Sequence, residues 1–448
     1  VSRYSGERIL RYGDSIPPRE EELMKVLVLN CGSSSVKFQL LETDLDLIES
    51  RQERLLAKGQ VEKIGMTRSL IHYCPEGKPD VTGAEEILEH RDAIRKVRDL
   101  LTDPEHGVIR RGEEIEAVGH RVVHGGEKFS DSAIITSEVL EEIRECVALA
   151  PLHNPHNITG YLAAKELFSK VPHVAVFDTS FHQTMPPHAY IYGIPYVLYQ
   201  RHGIRRYGFH GTSHRYVAFR ASQILEIPRE EMRIITCHLG NGSSMAAIKY
   251  GKSVDTSMGF TPLEGLLMGT RCGDIDPAVI LHVMAKEELT LHEANTLMNK
   301  HSGLYGISGV SSDLREVLKA AEDGNSRAAL AVDIMCYRIR KYIAAYAAAM
   351  GGVELVIFTG GIGENAVSVR AKACAELEFM GLQVDPAANE ACVRNGGTIS
   401  ATDSAVRVMV VPTNEELIIA RDTVRCVRGV SKRNSQPGKE EKAVAGAK

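Results

Sequence analysis

The chain has nine cysteines (31, 74, 146, 237, 272, 336, 374, 392 and 426), but no two form a C-x-x-C pair and the count is odd. A zinc ribbon or a disulfide framework needs paired spacing, so these read as ordinary thiols in a reducing compartment, with the cytoplasm the expected location. No apolar run approaches the roughly 18 residues of a membrane span. The stretch VSRYSGERILRYGDSIPPREEEL carries charge throughout, which excludes a signal peptide. A basic excess is missing as well: 53 Lys+Arg against 58 Asp+Glu leaves a net charge of −5, a poor match for a nucleic-acid binder. What is present is an ordinary globular balance, 44% hydrophobic and 25% charged, with a modest surplus of glycine at 39 of 448 residues. That balance excludes long disorder or a coiled coil as the main architecture. At about 150 residues per domain the length predicts two or three domains.

Residues 1–24 read as a disordered extension, polar with Pro17-Pro18 and an acidic run, and 431–448 as a flexible tail without large apolar residues. Between them the pattern alternates strand and helix. Lys25–Asn30, Val36–Leu41, Val174–Phe177 and Val353–Phe358 are apolar enough for buried strands. Thr136 or Ser137 caps a helix, and Ser326–Met350 is a long amphipathic helix stopped by Gly351-Gly352. Such alternation predicts an α/β protein with helix-covered sheets. One internal echo stands out: KVLVLNCGSSSVKFQL (25–40) and RIITCHLGNGSSMAAI (233–248) share a strand, a Gly-Ser-Ser turn and a second strand. A repeat about 200 residues apart implies duplicated domains rather than a solenoid. Two such lobes facing each other make a cleft.

Neither turn is a Walker A loop, since Gly251-Lys252-Ser253 has Ala246 where the first glycine is required. A Gly/Ser hairpin still binds phosphate when backbone N–H groups and hydroxyls converge on its oxygens. Lys37 lies just past the first turn as a point charge, and Asn30 offers a carbonyl oxygen to hydrated Mg²⁺. A third glycine site, FTGGIGEN, leaves a strand and enters a helix whose N-terminus favours anions; its G-x-G-x-x-A is also a weak dinucleotide fingerprint. Arg121 (GHRVVHGG) and Arg271 (GTRCGD) sit among glycines, where a guanidinium has room to grip carboxylate or phosphoryl oxygens. Asp178 ends the VAVF strand, where α/β sheets present carboxylates, and His210 precedes Gly211 as a donor to a developing oxyanion. His210 and His214 have i, i+4 spacing, but the zincin glutamate is missing. Glu415 is a hard oxygen donor.

Together the segments LNCGSSSVKF, GHRVVHGG, APLHNPHN, FDTSFH, RYGFHGTSH, HLGNGSS, DTSMGFTPLEGLLMGTRCGDIDP, SGVSSDLR, FTGGIGENA and VPTNEEL resemble the acetokinase family of the sugar kinase/Hsp70/actin superfamily, from about Met24 to Arg428. The resemblance implies two duplicated ribonuclease H-like (actin-like ATPase) domains around a central cleft. These would be an N-terminal lobe at 25–178 with a return segment at 416–430, and a nucleotide-binding lobe at 179–415. It implies Mg²⁺-dependent phosphoryl transfer between ATP and acetate, in a homodimer. Residue by residue, Asn30 and Glu415 resemble the Mg²⁺-associated pair (Mn²⁺ being an alternative ion), Lys37 a phosphate contact, Arg121 the carboxylate-gripping arginine and Arg271 its phosphoryl-stabilising partner. Asp178 resembles the catalytic aspartate and His210 the histidine at the transition state. His238, Leu239, Gly240, Asn241 and Gly242 match the phosphate loop. Asp313, Leu314 and Arg315, with Gly361, Ile362, Gly363, Glu364 and Asn365, match the adenosine pocket. Val123, Leu152, Phe209 and Pro262 match the pocket for the acetate methyl. Propionate kinases share nearly every motif, and an actin-like or chaperone-like ATPase is the alternative from another class. His156 and Cys272 depart from the commonest family pattern, and neither carries an assigned role.

Overall fold

The computed structural model describes residues 23–151, 153–393 and 395–430. The expected extension, apart from its last two residues, and the expected tail from 431 lie outside the described residues.

Fourteen strands form two sheets among the described residues. The first contains β1 (Met24–Cys31), β2 (Ser35–Thr43), β3 (Arg54–Glu62), β4 (Met66–Pro75), β5 (Val81–Ile87), β6 (Ala117–Val122), β7 (Ala133–Ile134) and β8 (His173–Phe177), in the order β5-β4-β3-β2-β1-β6-β8-β7. The second contains β9 (Arg233–Leu239), β10 (Ser243–Lys249), β11 (Lys252–Thr256), β12 (Leu355–Thr359), β13 (Gly397–Thr398) and β14 (Arg407–Val410), ordered β11-β10-β9-β12-β14-β13. Five strands correspond: β3-β2-β1-β6-β8 in one sheet and β11-β10-β9-β12-β14 in the other. In each set the first three are antiparallel and the last two join in parallel. The duplicated α/β architecture expected from the sequence is therefore the one observed.

Helices cover both faces of each sheet, because the central strands are apolar on both faces. The first sheet packs Leu27, Leu29, Phe38 and Val118 against helices His90–Leu101 and Asn154–Leu167. The second packs Ile235, Val356 and Val408 against Ser326–Met350, and Ile234, Ile357 and Met409 against Gly211–Leu225. The long helix begins and ends where its sequence stops it. The Asn325 side chain accepts from Arg327 N and Ala328 N, and Gly351 takes a left-handed φ of 77°.

One helix crosses between the sheets. Glu415–Val427 follows β14 of the second sheet, yet Ile419, Ala420 and Val424 pack on Val26, Val28, Ala117 and Val176 of the first. Gly119 of β6 makes that approach possible: a Cβ there would lie 2.4 Å from Thr423 Oγ1 and 2.9 Å from Ile419 Cγ2. The C-terminal ends of β6 and β8 bring Arg121 and Asp178 of the first sheet beside Glu415 and near His238, and Asn30 lies one residue beyond the last β1–β6 pair.

Candidate active site

Asp178, one residue beyond β8, is fully buried. Its Oδ2 accepts from Arg121 Nη2 at 2.7 Å and from the His210 amide at 3.0 Å. Oδ1 accepts from the Thr212 hydroxyl at 2.7 Å and its amide at 3.3 Å. Burial opposes charge on both members of the Arg121–Asp178 pair. Their mutual attraction and these hydrogen bonds outweigh it, holding the carboxyl below, and the guanidinium above, their ordinary ranges. Arg121 Nε lies 3.7 Å from Glu415 Oε2, and that buried nitrogen makes no hydrogen bond. The Thr212 hydroxyl also lies 3.2 Å from Glu415 Oε2, which ties the two carboxylates together. Gly211 lets the chain pass this close, because a Cβ would stand 2.1 Å from the Asp178 carbonyl oxygen.

His210 adopts a left-handed φ of 56° as it opens helix Gly211–Leu225, a conformation a non-glycine residue adopts only when its surroundings hold it there. Its ring stacks on His238 at 4.3 Å between centroids, and its Nδ1 lies 2.9 Å from Ser244 Oγ. Burial, then the neighbouring His238 ring, depresses the basicity of His210, and burial does the same to His238. Burial thus favours the neutral form of both rings.

The two Gly-Ser turns differ in construction. Around the first, Cys31 pairs with Val36 and Asn30 with Lys37, leaving Gly32–Ser35 in the turn with Ser33 and Ser34 exposed. Burial, then Glu415, pushes the nearby Glu416 carboxyl up, and Lys37 and Arg121 draw it part of the way back. In the second turn, Leu239 pairs with Ser243 and His238 with Ser244, leaving only Gly240–Gly242 between them. Ser243 and Ser244 are fully buried, with Ser243 Oγ bonded to the Gly240 backbone and Ser244 Oγ to His210 and His214. Phosphate-facing hydroxyls, expected in both turns, are available only in the first.

The remaining nucleotide-loop residues divide between surface and core. Leu239 and Leu314 are buried and pack in the second sheet's core. Asp313 caps helix Leu314–Glu322 and pairs with the exposed Arg315 at 2.5 Å. Gly361 faces open space, since a Cβ added there would meet no atom within 4 Å, while Ile362 packs at the core's margin and Gly363 is buried. Glu364 Oε1 accepts from the Gly360 amide at 3.0 Å and the Thr413 amide at 3.2 Å, so this short helix caps its own N-terminus. Asn365 likewise folds back, donating to the Gly361 carbonyl at 2.8 Å. Beneath them Arg370, fully buried, donates to the Gly363 and Glu364 carbonyls at 3.0 Å. Sequence reasoning missed Arg370, for nothing distinguishes it from a helix-surface arginine.

A cavity of about 320 Å³ joins these parts, lined by Arg121, Val123, His153, Asp178, Phe209, His210, Asn241, Gly242, Pro262, Thr270, Arg271, Asn299 and Lys300. Its apolar wall is backed by a small cluster of Val123, Phe209, Met258 and Met268. Leu152, expected in the same wall, lies outside the described residues. Arg271 has no carboxylate within ion-pair distance among the described residues; its contact is Nη1 to the Pro262 carbonyl at 3.4 Å. Burial alone lowers its basicity, so an incoming anion would be stabilised there. His153 was passed over in the sequence, where Pro155 interrupts HNPH. Its pKa is pushed down to about 4 by burial and by Arg121 and Arg271.

Two sheets of matching topology and a cavity lined by two arginines are the features of the actin-like fold and its site here, and the family match gives the class, a phosphotransferase with a carboxyl acceptor. The Acetokinase family model matches residues 25–421, and the chain belongs to that family. It is 54% identical over 407 residues to the acetate kinase of Halothermothrix orenii, covering 90% of this chain and all of that one. Among solved structures, the Porphyromonas gingivalis acetate kinase superposes with a TM-score of 0.84 at 50% identity, covering 90% of this chain and all of the other. A propionate kinase from Francisella tularensis superposes at 0.82 with 40% identity, covering 91% and 100%.

Proposed function

We propose that the chain is an ATP:acetate phosphotransferase, moving the terminal phosphoryl group of ATP reversibly onto a carboxylate oxygen of acetate to give acetyl phosphate and ADP. The observation that carries this reading is the unpaired Arg271 in the same small cavity as the Arg121–Asp178 pair, beside an apolar wall of Val123, Phe209 and Pro262. Acetate and a phosphate tail are both anions, and bringing them together requires cations already in place. Acetate is ionised at pH 7, so no base is needed to activate it. Asp178, with both oxygens engaged, orients Arg121 and the start of helix Gly211–Leu225 rather than abstracting a proton. Arg121 grips the carboxylate, Arg271 meets the transferring phosphoryl, and the apolar wall receives the methyl group.

The oxygens of Asp178 are already engaged, while Asn30 and Glu415 offer hard oxygen donors suited to hydrated Mg²⁺. They would hold the ion there through water, and it would neutralise phosphate charge. Lys37 and the open turn at Ser33-Ser34 add donors on the phosphate side, while Asn241, Gly242 and the surfaces around Asp313 and Gly361 frame the nucleotide. Transfer of phosphoryl trapped by hydroxylamine as acyl hydroxamate tests the reading: kcat/KM should rank acetate above propionate and butyrate, and absence of product with all three would overturn it.

The enzyme is also proposed to be a cytoplasmic homodimer. Among the described residues no helix is long and apolar enough to cross a membrane. Helix Pro277–Lys286 (PAVILHVMAK) has no buried residue, and Leu281 and Leu291 are 69% and 81% exposed. A second copy covering this face would account for it. Leu281→Glu should shift the chain from dimer to monomer in sedimentation; an unchanged mass would remove this face from the interface.

A further inference from the structure

His210 and His214 are separated by one helical turn, and the two strands β9 and β10 place Thr236 and Ser244 beside them. The four side chains form one continuous line of hydrogen bonds. Thr236 Oγ1 lies 2.7 Å from His214 Nδ1, His214 Nε2 lies 2.8 Å from Ser244 Oγ, and Ser244 Oγ lies 2.9 Å from His210 Nδ1. Thr236, His214 and Ser244 are all fully buried, so water does not substitute for a missing partner. His210 alone reaches the cavity.

The direction of the line follows from Thr236. Its hydroxyl has one proton and two acceptors to choose from, His214 Nδ1 at 2.7 Å and the Ala246 carbonyl at 3.5 Å. Giving the proton to His214 satisfies both buried groups, whereas the reverse, with His214 Nδ1–H donating to Thr236, would leave the hydroxyl proton only a carbonyl at the edge of hydrogen bonding. His214 Nδ1 is then an acceptor, and the neutral ring carries its proton on Nε2 and donates to Ser244. Ser244 in turn donates to His210 Nδ1. Every link then has one donor and one acceptor, and the proton of the neutral His210 ring is on Nε2. That nitrogen makes no hydrogen bond among the described residues. It faces Gly242, where a Cβ would lie 3.7 Å from it and 3.6 Å from Arg271 Nη1.

We propose that Thr236, His214 and Ser244 are positioning residues that fix the tautomer of His210, so that Nε2–H is presented as a ready donor to the transferring phosphoryl beside Arg271. This rests on the phosphotransferase reading for its consequence, though not for the tautomer itself. A neutral donor needs no protonation event, and the line prevents the ring from offering a lone pair to phosphoryl oxygens. It also gives a role to the i, i+4 histidine spacing that a metal site does not use.

The test is ¹⁵N NMR of the histidine side chains in the full chain, with His210→Gln used to assign the signal. The proton should be on Nε2 in the unaltered protein; a proton on Nδ1 overturns the proposal without any variant. Thr236→Val removes the hydroxyl at nearly constant shape. It should mix the His210 tautomers and lower kcat about tenfold while KM for ATP and acetate stays within about twofold. Thr236→Ser should restore both. Ser244→Ala, which cuts the line at its centre, should give the same pair of changes if Thr236→Val fails to fold. Variants that fold and keep both tautomer and kcat unchanged overturn the proposal. A protein that shows the expected tautomer but makes no acyl phosphate would instead refute the phosphotransferase reading.

Discussion

The turns at Gly32–Ser35 and Gly240–Gly242 begin from the same sequence plan and place their serines differently. The first has four residues between its flanking pairs and the second three, so the residue opposite Asn30 is Lys37 whereas the residue opposite His238 is Ser244. Ser33 and Ser34 lie within the first turn, whereas Ser243 and Ser244 are the first two residues of β10, beyond the second. The first turn therefore presents hydroxyls to solvent, while beyond the second Ser243 bonds to the Gly240 backbone and Ser244 to the histidines. The two copies share a plan, and the place of the serines within it, in the turn or in the strand, separates them.

Each turn has its own cation, and replacing these gives the largest contrast. Arg271→Ala, beside the second turn, should lower kcat about 10²–10³-fold with little loss of stability, because no buried partner is left unpaired. Lys37→Ala, beside the first, should chiefly raise KM for ATP, about tenfold. Equal losses of kcat in steady-state kinetics would erase the functional difference between the turns.

Acid should expose the histidine cluster behind the second turn. Burial holds His210, His214 and His238 below their ordinary pKa, and His182 down at about 4. Between about pH 6.5 and 4 the unfolded chain binds protons that the folded chain does not, so stability rises with pH across that window and falls as acid is added. Each such histidine contributes a slope of up to about 1.4 kcal/mol per pH unit. His173 and His124, in the first lobe, add to it. Urea midpoints flat from pH 7 to 5 would show that these rings titrate in the native state as they do in the unfolded chain.

The smallest contrast separates the serines themselves. Ser243→Ala, which removes a buried hydroxyl bonded to Gly240, should cost about 1 kcal/mol in denaturant unfolding. Ser33→Ala, at an exposed position, should stay within about 0.5 kcal/mol. If the order were reversed, the inward orientation of the second pair would be wrong.

Much of this molecule was legible in its sequence because the signals were local. Ser326–Met350 runs between the residues expected, since Asn325 and Gly351 cap it. Arg121, His210 and Arg271, singled out beside glycines, and Asp178, singled out at the end of a strand, line one cavity. What escaped depends on distant geometry. The burial of Ser243 and Ser244 follows from their place at the head of β10, where the Gly240 backbone and two histidines meet their hydroxyls. Glu364 and Asn365 spend their side chains on their own helix, so the helix N-terminus expected to be open to anions has its Gly360 amide already occupied. His153 gained importance only when the fold set it between two guanidinium groups, and Arg370 only when its surroundings closed over it.

Helix Glu415–Val427 leaves the second sheet but is packed into the first. Suppose the two sheets rotate to admit and release substrates. Residues 411–414 must then absorb the change in direction, while Glu415 travels with β6 and β8 and keeps its distance from Arg121 and Asp178. Opening would break the bonds from His210 and Thr212 to Asp178, because their helix is packed on the second sheet. What also changes on closure is the separation between Arg121 and Arg271, so the repulsion between the two substrates is countered only once the gap has narrowed.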